Sequence, residues 1–296
     1  MKAIDKLREI TGYFRGCGFE SAEKEAEILM SQGLKITTVQ IYRDNPELSK
    51  DHINTVEGML ARRLQHEPFQ YITGYEEFMG LKLMVGPGVL IPRPETELMA
   101  EHAIKTVKRE SLSVRGTSPC ASPLTHIRVL DLCTGSGCLA LAIAREFPYA
   151  KVYGSDISES AIRYAAKNAE INRIKNAVFL RGSLFQPFKR QFTADLIISN
   201  PPYVSTDDLK DLQPEVRDWE PAVALDGGRD GRAFYRELIP AAGEFLKDEG
   251  FIMLEIGAGQ ADGVADILKS SGYAGIKIIR DYSGIRRIVK ASRATC

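Results

Sequence analysis

Apolar positions recur along this chain with two different periods, and the change from one to the other divides it. Through residues 1–78 the spacing is helical. Ile4, Leu7, Ile10 and Phe14 share a face, and Gly16-Cys17-Gly18 breaks that element. Ser21 predicts the N-cap of a second helix carrying Ala22, Ala26, Leu29 and Met30, with Gly33 as its end. A third element covers Thr37 to Arg43 and stops at Asn45-Pro46. Ser49 then opens a longer helix through Ile53, Val56, Met59, Leu60 and Leu64. These elements predict a small bundle without a catalytic constellation of its own. It reads either as a structural appendage or as a docking module for a macromolecular substrate. His52 and His66 read as solvated helix residues rather than ligands.

Short apolar runs replace the helical pattern from about residue 79. Leu81–Val85 and Val89–Ile91 flank Gly86-Pro87-Gly88 and predict a β-hairpin, which makes residues 79–96 a linker. Glu95 or Thr96 could begin the helix that continues through Leu98, Ala100 and Ile104. On spacing alone, Arg93 and Glu95 are a cap and a surface ion pair. Residues 111–126, rich in Ser, Pro and Thr, read as a flexible surface connection. Beyond them strands alternate with helices: Ile127–Leu132, Lys151–Asp156, Ala177–Leu180, Ala194–Ser199 and Gly250–Gly257 are the strands. That alternation predicts a parallel, doubly wound α/β sheet over residues 97–296. Only Asp281-Tyr282-Ser283-Gly284 separates the final two strands, Ile276–Arg280 and Ile285–Lys290. A connection that short demands a hairpin, so the last strand inserts antiparallel.

Composition narrows the classes. The 296 residues are 44% hydrophobic and 26% charged with a formal net charge of zero, which suits a globular chain and lacks the basic excess of a dedicated nucleic-acid binder. Five cysteines (Cys17, Cys120, Cys133, Cys138 and Cys296) form an odd count without paired zinc spacing. They predict free thiols in a reducing compartment and no metal site. The amino terminus is an amphipathic helix start containing acids. With no run near the roughly 20 apolar residues of a membrane span, the chain reads as cytoplasmic and without a membrane partner.

Two stretches carry chemistry. The first is Asp131-Leu132-Cys133-Thr134-Gly135-Ser136-Gly137, a strand running into a glycine-rich turn and a helix. Gly135-x-Gly137-x-x-Ala140 matches the dinucleotide fingerprint, but Asp131 at the strand end would repel a pyrophosphate and welcome an ammonium group. A second strand ends in Asp156, about 20 residues after the loop, where a carboxylate accepts ribose hydroxyls. Either aspartate could instead be a helix cap. The second stretch is Leu196-Ile197-Ile198-Ser199-Asn200-Pro201-Pro202-Tyr203. The prolines end the strand and hold the backbone extended, which leaves a side-chain amide, bare carbonyls and an aromatic ring at the sheet's carboxyl edge. Such a corner can accept two hydrogen bonds from one planar –NH₂ group. The same letters also suit a plain strand stop.

Four blocks together give the chain a resemblance. They are Tyr71-Ile72-x-Gly74 with Phe78; Leu90-Ile91-Pro92-Arg93-Pro94-Glu95-Thr96-Glu97; Asp131 to Gly137; and Asn200 to Tyr203. Glu220-Pro221-Ala222, Asp226-Gly227-Gly228, Leu254-Glu255-Ile256-Gly257 with Gln260, and Gly284-x-x-Arg287 add to it. The chain resembles the protein-glutamine methyltransferases of peptide chain release factors, from about Glu67 onward, with the helical domain also expected. Asn-Pro-Pro-Tyr alone is shared with DNA adenine methyltransferases; the Arg-Pro-Glu-Thr-Glu block is more specific.

The resemblance implies a class I S-adenosylmethionine-dependent methyltransferase fold, Rossmann-like, with a seven-stranded sheet behind a helical substrate-docking domain. It implies S-adenosylmethionine as cofactor, held by Asp131, Cys133, Thr134, Gly135, Ser136, Gly137, Asp156, Ser183, Leu184 and Asn200. Asn200, Pro201, Pro202 and Tyr203 would bind the substrate. The Asn200 side-chain carbonyl and the Pro201 carbonyl would take the glutamine N–H groups, and Tyr203 would pack on the amide plane. Release factors are the implied partners, without direct nucleic-acid binding. Two departures stand out. Cys133 occupies a position where glycine is usual, and Ser183-Leu184 replaces an acidic-aromatic pair that lies along the adenine in relatives. A ribosomal-protein glutamine, a nucleic-acid adenine and, in another class, a nicotinamide-dependent oxidoreductase remain the alternatives.

Overall fold

Helical periodicity at the start of the chain and strand periodicity after it produce two separate units in the computed structural model. It describes residues 1–113, 127–189 and 191–293. Most of the expected surface connection (residues 114–126, with Cys120) and Cys296 lie outside the described residues. The first unit is Met1–Gly74 together with Gln213–Trp219; the second is Tyr75–Leu212 together with Glu220–Cys296.

In the first unit, α1 (Ala3–Gly16), α2 (Ala22–Leu34), α3 (Thr38–Asp44), α4 (Lys50–Arg63) and the short α5 (Phe69–Thr73) follow one another. Ile10, Phe14, Ala26, Leu29, Met30, Ile41 and Val56 form its fully buried centre. Thr37 and Gln40 close a reciprocal capping box on α3, and Ser49 Oγ accepts from His52 N–H at 3.1 Å on α4. Such caps contribute about 1 kcal/mol each. Gly33 lies inside α2 rather than after it; the helix ends at Leu34, with Lys35 in the left-handed region.

Residues 213–219 are clamped to this bundle by polar contacts. Arg63 is buried between Glu25 (2.8 Å) and Glu215 (3.0 Å), and its guanidinium lies over the rings of Phe19 and Phe69. Trp219 Nε1–H donates to the Gln65 carbonyl at 3.1 Å. His66 follows α4 instead of belonging to it. It stacks on Phe19, with Nδ1 3.2 Å from Glu215.

The second unit opens with β1 (Tyr75–Phe78) paired antiparallel to β2 (Leu81–Met84). The hairpin therefore sits earlier than the spacing around Gly86-Pro87-Gly88 predicted. Met79 and Gly80 both take positive φ (51° and 72°), the geometry of a two-residue turn that matches strand twist. The bundle accordingly gives way to strand at Tyr75, not after residue 78. Then follow α6 (Pro94–Ser113), β3 (Arg128–Leu132), α7 (Cys138–Glu146), β4 (Lys151–Asp156), α8 (Glu159–Ile171), β5 (Ala177–Arg181) and β6 (Ala194–Ser199). After the one-turn α9 (Pro214–Arg217), which belongs to the first unit, come α10 (Ala233–Phe245), β7 (Leu246–Glu255), α11 (Ala261–Ser270), β8 (Tyr273–Arg280) and β9 (Arg286–Arg293). Helix α6 begins inside the expected linker, because Pro94 suits a first helical turn.

The sheet order is β5-β4-β3-β6-β7-β9-β8, parallel as far as β7, with β9 antiparallel to both neighbours. Period-two alternation sends Val129 and Ile198 to a core shared with α6 and α7, and Leu130 and Ile197 to one shared with α10 and α11. The doubly wound sheet and its antiparallel last strand are as the sequence predicted. Among the described residues no helix is long and apolar enough to cross a membrane.

Candidate active site

Connections leave β3 toward β4 on one side and β6 toward β7 on the other, so the sheet order reverses between β3 and β6. Such a reversal opens a crevice at the strands' carboxyl ends. The register keeps those ends level: Leu132 lies opposite Ser155 and Ser199, and Ser199 opposite Leu254. Cys133, Asp156, Asn200 and Glu255, each at or just past a strand end, therefore sit along one edge.

A cavity of about 300 Å³ opens there. Of the residues singled out from the sequence, Cys133, Thr134, Gly135, Ser136, Asp156, Ser183, Leu184, Asn200 and Pro202 line it. Asp131, Gly137, Pro201 and Tyr203 are not on its wall.

Asp131 is fully buried. Its Oδ2 accepts from the Thr134 hydroxyl at 2.6 Å and from Ala140 N–H at 3.2 Å, while Oδ1 has no partner among the described residues. Burial pushes its carboxyl up to about 7, against the pull of Thr134 and Ala140. It braces the glycine loop from behind and does not itself line the cavity. Gly137 is the residue just before α7, and its N–H donates to the Thr134 carbonyl at 2.8 Å.

Asp156 does face the cavity. Its Oδ2 accepts from Gly135 N–H at 2.9 Å and its Oδ1 from Ser158 N–H at 2.8 Å. It is not the cap of α8, a place Ser158 takes with its own hydroxyl. Burial raises its pKa, and the backbone donors oppose that. The loop N–H that would cradle a pyrophosphate is thus already given to a carboxylate. Cys133, at φ 57°, occupies the left-handed region, which accounts for the glycine usual at that position. Leu184 is buried, with its carbonyl accepting from the Ser155 hydroxyl at 2.8 Å.

The corner after β6 is held from several elements. Asn200 Nδ2–H donates to Thr96 Oγ1 of α6 at 3.2 Å, which turns Oδ1 away from that contact. Gln260 Nε2–H donates to the Tyr203 carbonyl at 2.8 Å, and Gly257 N–H donates to Gln260 Oε1 at 3.0 Å. The loop after residue 226 closes against the corner's back. A Cβ at Gly231 (φ 68°) would meet the Tyr203 carbonyl oxygen at 2.3 Å, and one at Gly227 the Pro202 carbonyl oxygen at 2.8 Å. Only glycine permits that approach. Tyr203's hydroxyl points to Glu255 Oε1, 3.5 Å away, and burial raises the phenol's pKa.

Three contributors escaped the reading from sequence: Thr96, Glu220 and Glu255. Arg93 pairs with the buried carboxylate of Glu220, which also accepts from Ile91 N–H at 3.1 Å. This replaces the surface ion pair that spacing suggested for Arg93. Burial raises the Glu220 pKa and Arg93 opposes it. Glu255 was visible as one acid at the end of an apolar strand, the same signal that singled out Asp131 and Asp156.

Comparison with known proteins agrees with this architecture. Residues 5–74 match the PrmC N-terminal domain, and residues 124–255 match a methyltransferase domain. A release factor glutamine methyltransferase of Thermodesulfovibrio yellowstonii is 44% identical, covering 98% of this chain and 97% of its own. One from Geobacter sulfurreducens is 42% identical over 97% of this chain and 94% of its own. The crystal structure of a methyltransferase from Pyrococcus furiosus shares the fold, with a TM-score of 0.51 at 20% identity over 73% of this chain and 91% of that one. The second unit thus has the class I methyltransferase fold, and the chain belongs to the release factor glutamine methyltransferase family.

Proposed function

We propose that this protein transfers a methyl group from S-adenosylmethionine to the side-chain amide nitrogen of a glutamine in peptide chain release factors. The supporting observation is that Asn200 lines the same cavity as Asp156 and the glycine loop, with its amide N–H committed to Thr96. Its Oδ1 is left as an acceptor at the cavity.

The residues fit the cofactor's chemistry. Asp156 offers carboxylate oxygens for ribose hydroxyls, buried Leu184 offers an apolar wall for the base, and a Cβ at Gly135 would project into open space. A pyrophosphate would meet the Asp156 carboxylate on the very N–H it needs, which disfavours the nicotinamide reading. When bound, S-adenosylmethionine supplies an electrophilic methyl group on a sulfonium.

An amide nitrogen is a poor nucleophile because its lone pair is delocalised. Asn200 Oδ1 and, by the family resemblance, the Pro201 carbonyl accept its two N–H groups, which favours a pyramidal nitrogen. Gln260 and the Gly227–Gly231 loop hold the Pro202–Tyr203 backbone that follows those acceptors before the substrate arrives. Catalysis is then positioning plus electrostatic stabilisation of positive charge growing on nitrogen. The proton can leave afterwards, so no general base is needed first.

The test is direct. Methyl-labelled cofactor is incubated with the protein and a release factor, and the label is located by mass spectrometry. Label on one glutamine of the release factor is expected. Label only on a ribosomal protein, on nucleic acid, or nowhere would overturn the assignment. The reading places the enzyme in the cytoplasm with its substrate.

We also infer that the helical unit docks the release factor. Tyr13 and Val39 are exposed on α1 and α3, without a role in the bundle's core. Deleting residues 1–74 would be a poor test, since Glu215 and Trp219 would lose Arg63 and Gln65. Val39→Asp is cleaner. It should raise KM for a whole release factor and leave cofactor affinity unchanged; an unchanged KM for this variant and for Tyr13→Asp would refute docking there.

A further inference from the structure

One buried side chain bonds two walls of the cofactor cavity from behind. Asn168 of α8 is fully buried and does not itself line the cavity. Its Oδ1 accepts from Met84 N–H at 2.6 Å. Its Nδ2 donates to the Met84 carbonyl at 3.1 Å and to the Ser136 carbonyl at 2.9 Å. An amide nitrogen carries two hydrogens, so one is spent on β2 and the other on the glycine loop.

Helix geometry sets this place, because residues three and four apart share a face. Ala161, Ala165 and Asn168 form a stripe beneath the glycine loop, where a Cβ at Gly137 (φ 82°) would stand 3.1 Å from the Ala165 methyl. Ser160, Tyr164 and Asn168 form a second stripe beneath residues 85–91. There a Cβ at Gly88 (φ 93°) would stand 3.2 Å from Ser160 Cβ, and one at Gly86 would run into the Tyr164 hydroxyl. Asn168 is where the two stripes cross. From Met84 the chain runs as a strap to Ile91, whose N–H donates to Glu220 at 3.1 Å. Gly88, Val89 and Leu90 of the strap line the cavity, and so do Thr134, Gly135 and Ser136 of the loop.

Asn172, just past the end of α8, supplies an internal comparison. It meets β2 in the same two-sided way: Oδ1 accepts from Lys82 N–H at 3.2 Å and Nδ2 donates to the Lys82 carbonyl at 2.9 Å. Its second donor returns to the Asn168 main-chain carbonyl at 2.8 Å, within its own helix end. Both asparagines therefore dock the hairpin, and Asn168 alone of the two also reaches the loop. Docking does not require that third bond. We propose, resting on the cofactor reading given above, that Asn168 is a positioning residue for the cofactor: it fixes the strap against the glycine loop and so holds the two walls at the separation the ligand fits. Without it the buried Ser136 carbonyl loses its donor and the strap is freed at its origin. Val85, Val89 and Ile91, all buried, still keep the strap attached to the fold.

The test needs the cofactor product alone, with S-adenosylhomocysteine binding followed by calorimetry and stability by urea unfolding of the full chain. Asn168→Leu and Asn172→Leu should both lose stability. Asn168→Leu should also bind S-adenosylhomocysteine about tenfold more weakly, the scale of one hydrogen bond, with Asn172→Leu within about twofold of wild type. Asn168→Asp keeps an acceptor for Met84 N–H and has no donor for Ser136, so it should lose affinity likewise. It answers the same question should the leucine variant fail to fold. Gly88→Ala, which crowds the strap at its middle, should weaken binding in the wild type and add little in Asn168→Leu, because residues acting through one element are not additive. Wild-type affinity in the Asn168 variants, an equal loss in Asn172→Leu, or additive losses with Gly88→Ala would overturn the proposal. A wild type that binds S-adenosylhomocysteine and methylates no glutamine would refute the proposed function instead, and the affinities would still decide the role of Asn168.

Discussion

Two carboxylates flank the strand that carries Asn200, and they are alike in burial and charge. Asp131 lies near the end of β3 and Glu255 at the end of β7; both are buried, both have one oxygen without a partner, and burial pushes both up to about 7. What differs is what the other oxygen holds. That of Asp131 takes Thr134 and Ala140, both within nine residues of it, and so braces the glycine loop on the cofactor side. That of Glu255 faces the Tyr203 hydroxyl from 52 residues away, on the substrate side. A parallel sheet supplies the same position at each strand end. The loops that follow decide which half of the reaction an acid serves.

The sharpest way to break this division is to remove a group from each half. Asn200→Ala deletes an acceptor felt most in the transition state, and should cost about 2.7–4 kcal/mol, or a hundred- to thousand-fold in single-turnover rate. Calorimetry on the same variant separates this loss from any change in cofactor affinity. Wild-type turnover in this variant would make Asn200 a strand stop and nothing more. Asn200→Asp should also lose activity, because a carboxylate cannot donate to Thr96.

Stability should show the likeness of the two acids where activity shows their difference. A folded pKa of about 7, raised from 3.8 for Asp131 and 4.5 for Glu255, means that the folded chain holds these protons over a range where the unfolded chain has released them. Stability therefore falls as pH rises from about 4 through 7, by on the order of 3–5 kcal/mol for each group at roughly 1.4 kcal/mol per pH unit. Asp131→Asn and Glu255→Gln should each flatten that slope in urea unfolding and raise stability at pH 8. A slope identical to wild type in both variants would mean that neither acid is desolvated as its position implies. Their functions should part: Asp131→Asn should weaken cofactor binding, and Glu255→Gln should slow turnover.

The smaller effect on the cofactor side belongs to Asp156. Asp156→Ala removes the acceptor offered to the ribose and also frees Gly135 N–H and Ser158 N–H. A loss of about 1.5–3 kcal/mol in cofactor affinity is expected. If calorimetry instead gave wild-type affinity, Asp156 would be a brace for the loop, as Asp131 is.

How much of this could be read from the chain follows from the range of each interaction. The alternation of strands and helices is local, and so is the glycine loop with its two aspartates; both were legible. The corner's letters were legible too, because two prolines after an apolar run leave the backbone little choice. The hairpin was misplaced because Gly86-Pro87-Gly88 looks like a turn, whereas Met79-Gly80 makes one only with a non-glycine residue at positive φ. Thr96 and Glu220 stayed hidden because their partners come from distant strands and loops. Asn200 meets Thr96 across 104 residues, and Ile91 meets Glu220 across 129. No spacing encodes such contacts.

Cys133 offers the finest test of the cofactor side. Its backbone sits at φ 57°, where an L-residue crowds its own carbonyl at a cost of about 1–2 kcal/mol. Its side chain packs against the core beneath α10, and burial pushes the thiol up, so it contributes as a small apolar group. Cys133→Ala and Cys133→Gly both delete the sulfur, but only glycine also relieves the backbone. Ordinarily the smaller residue would be the worse replacement, since glycine has more freedom to lose on folding, by roughly 0.5–1 kcal/mol. Here strain relief should outweigh that freedom narrowly. The glycine variant should unfold at higher urea than the alanine variant, by a stability difference below about 1 kcal/mol, with cofactor affinity equal in both. Were alanine the more stable, the loop would carry no strain at Cys133, and the glycine usual there would need another explanation, such as room for the ligand. A higher cofactor affinity in the glycine variant would point to that explanation directly.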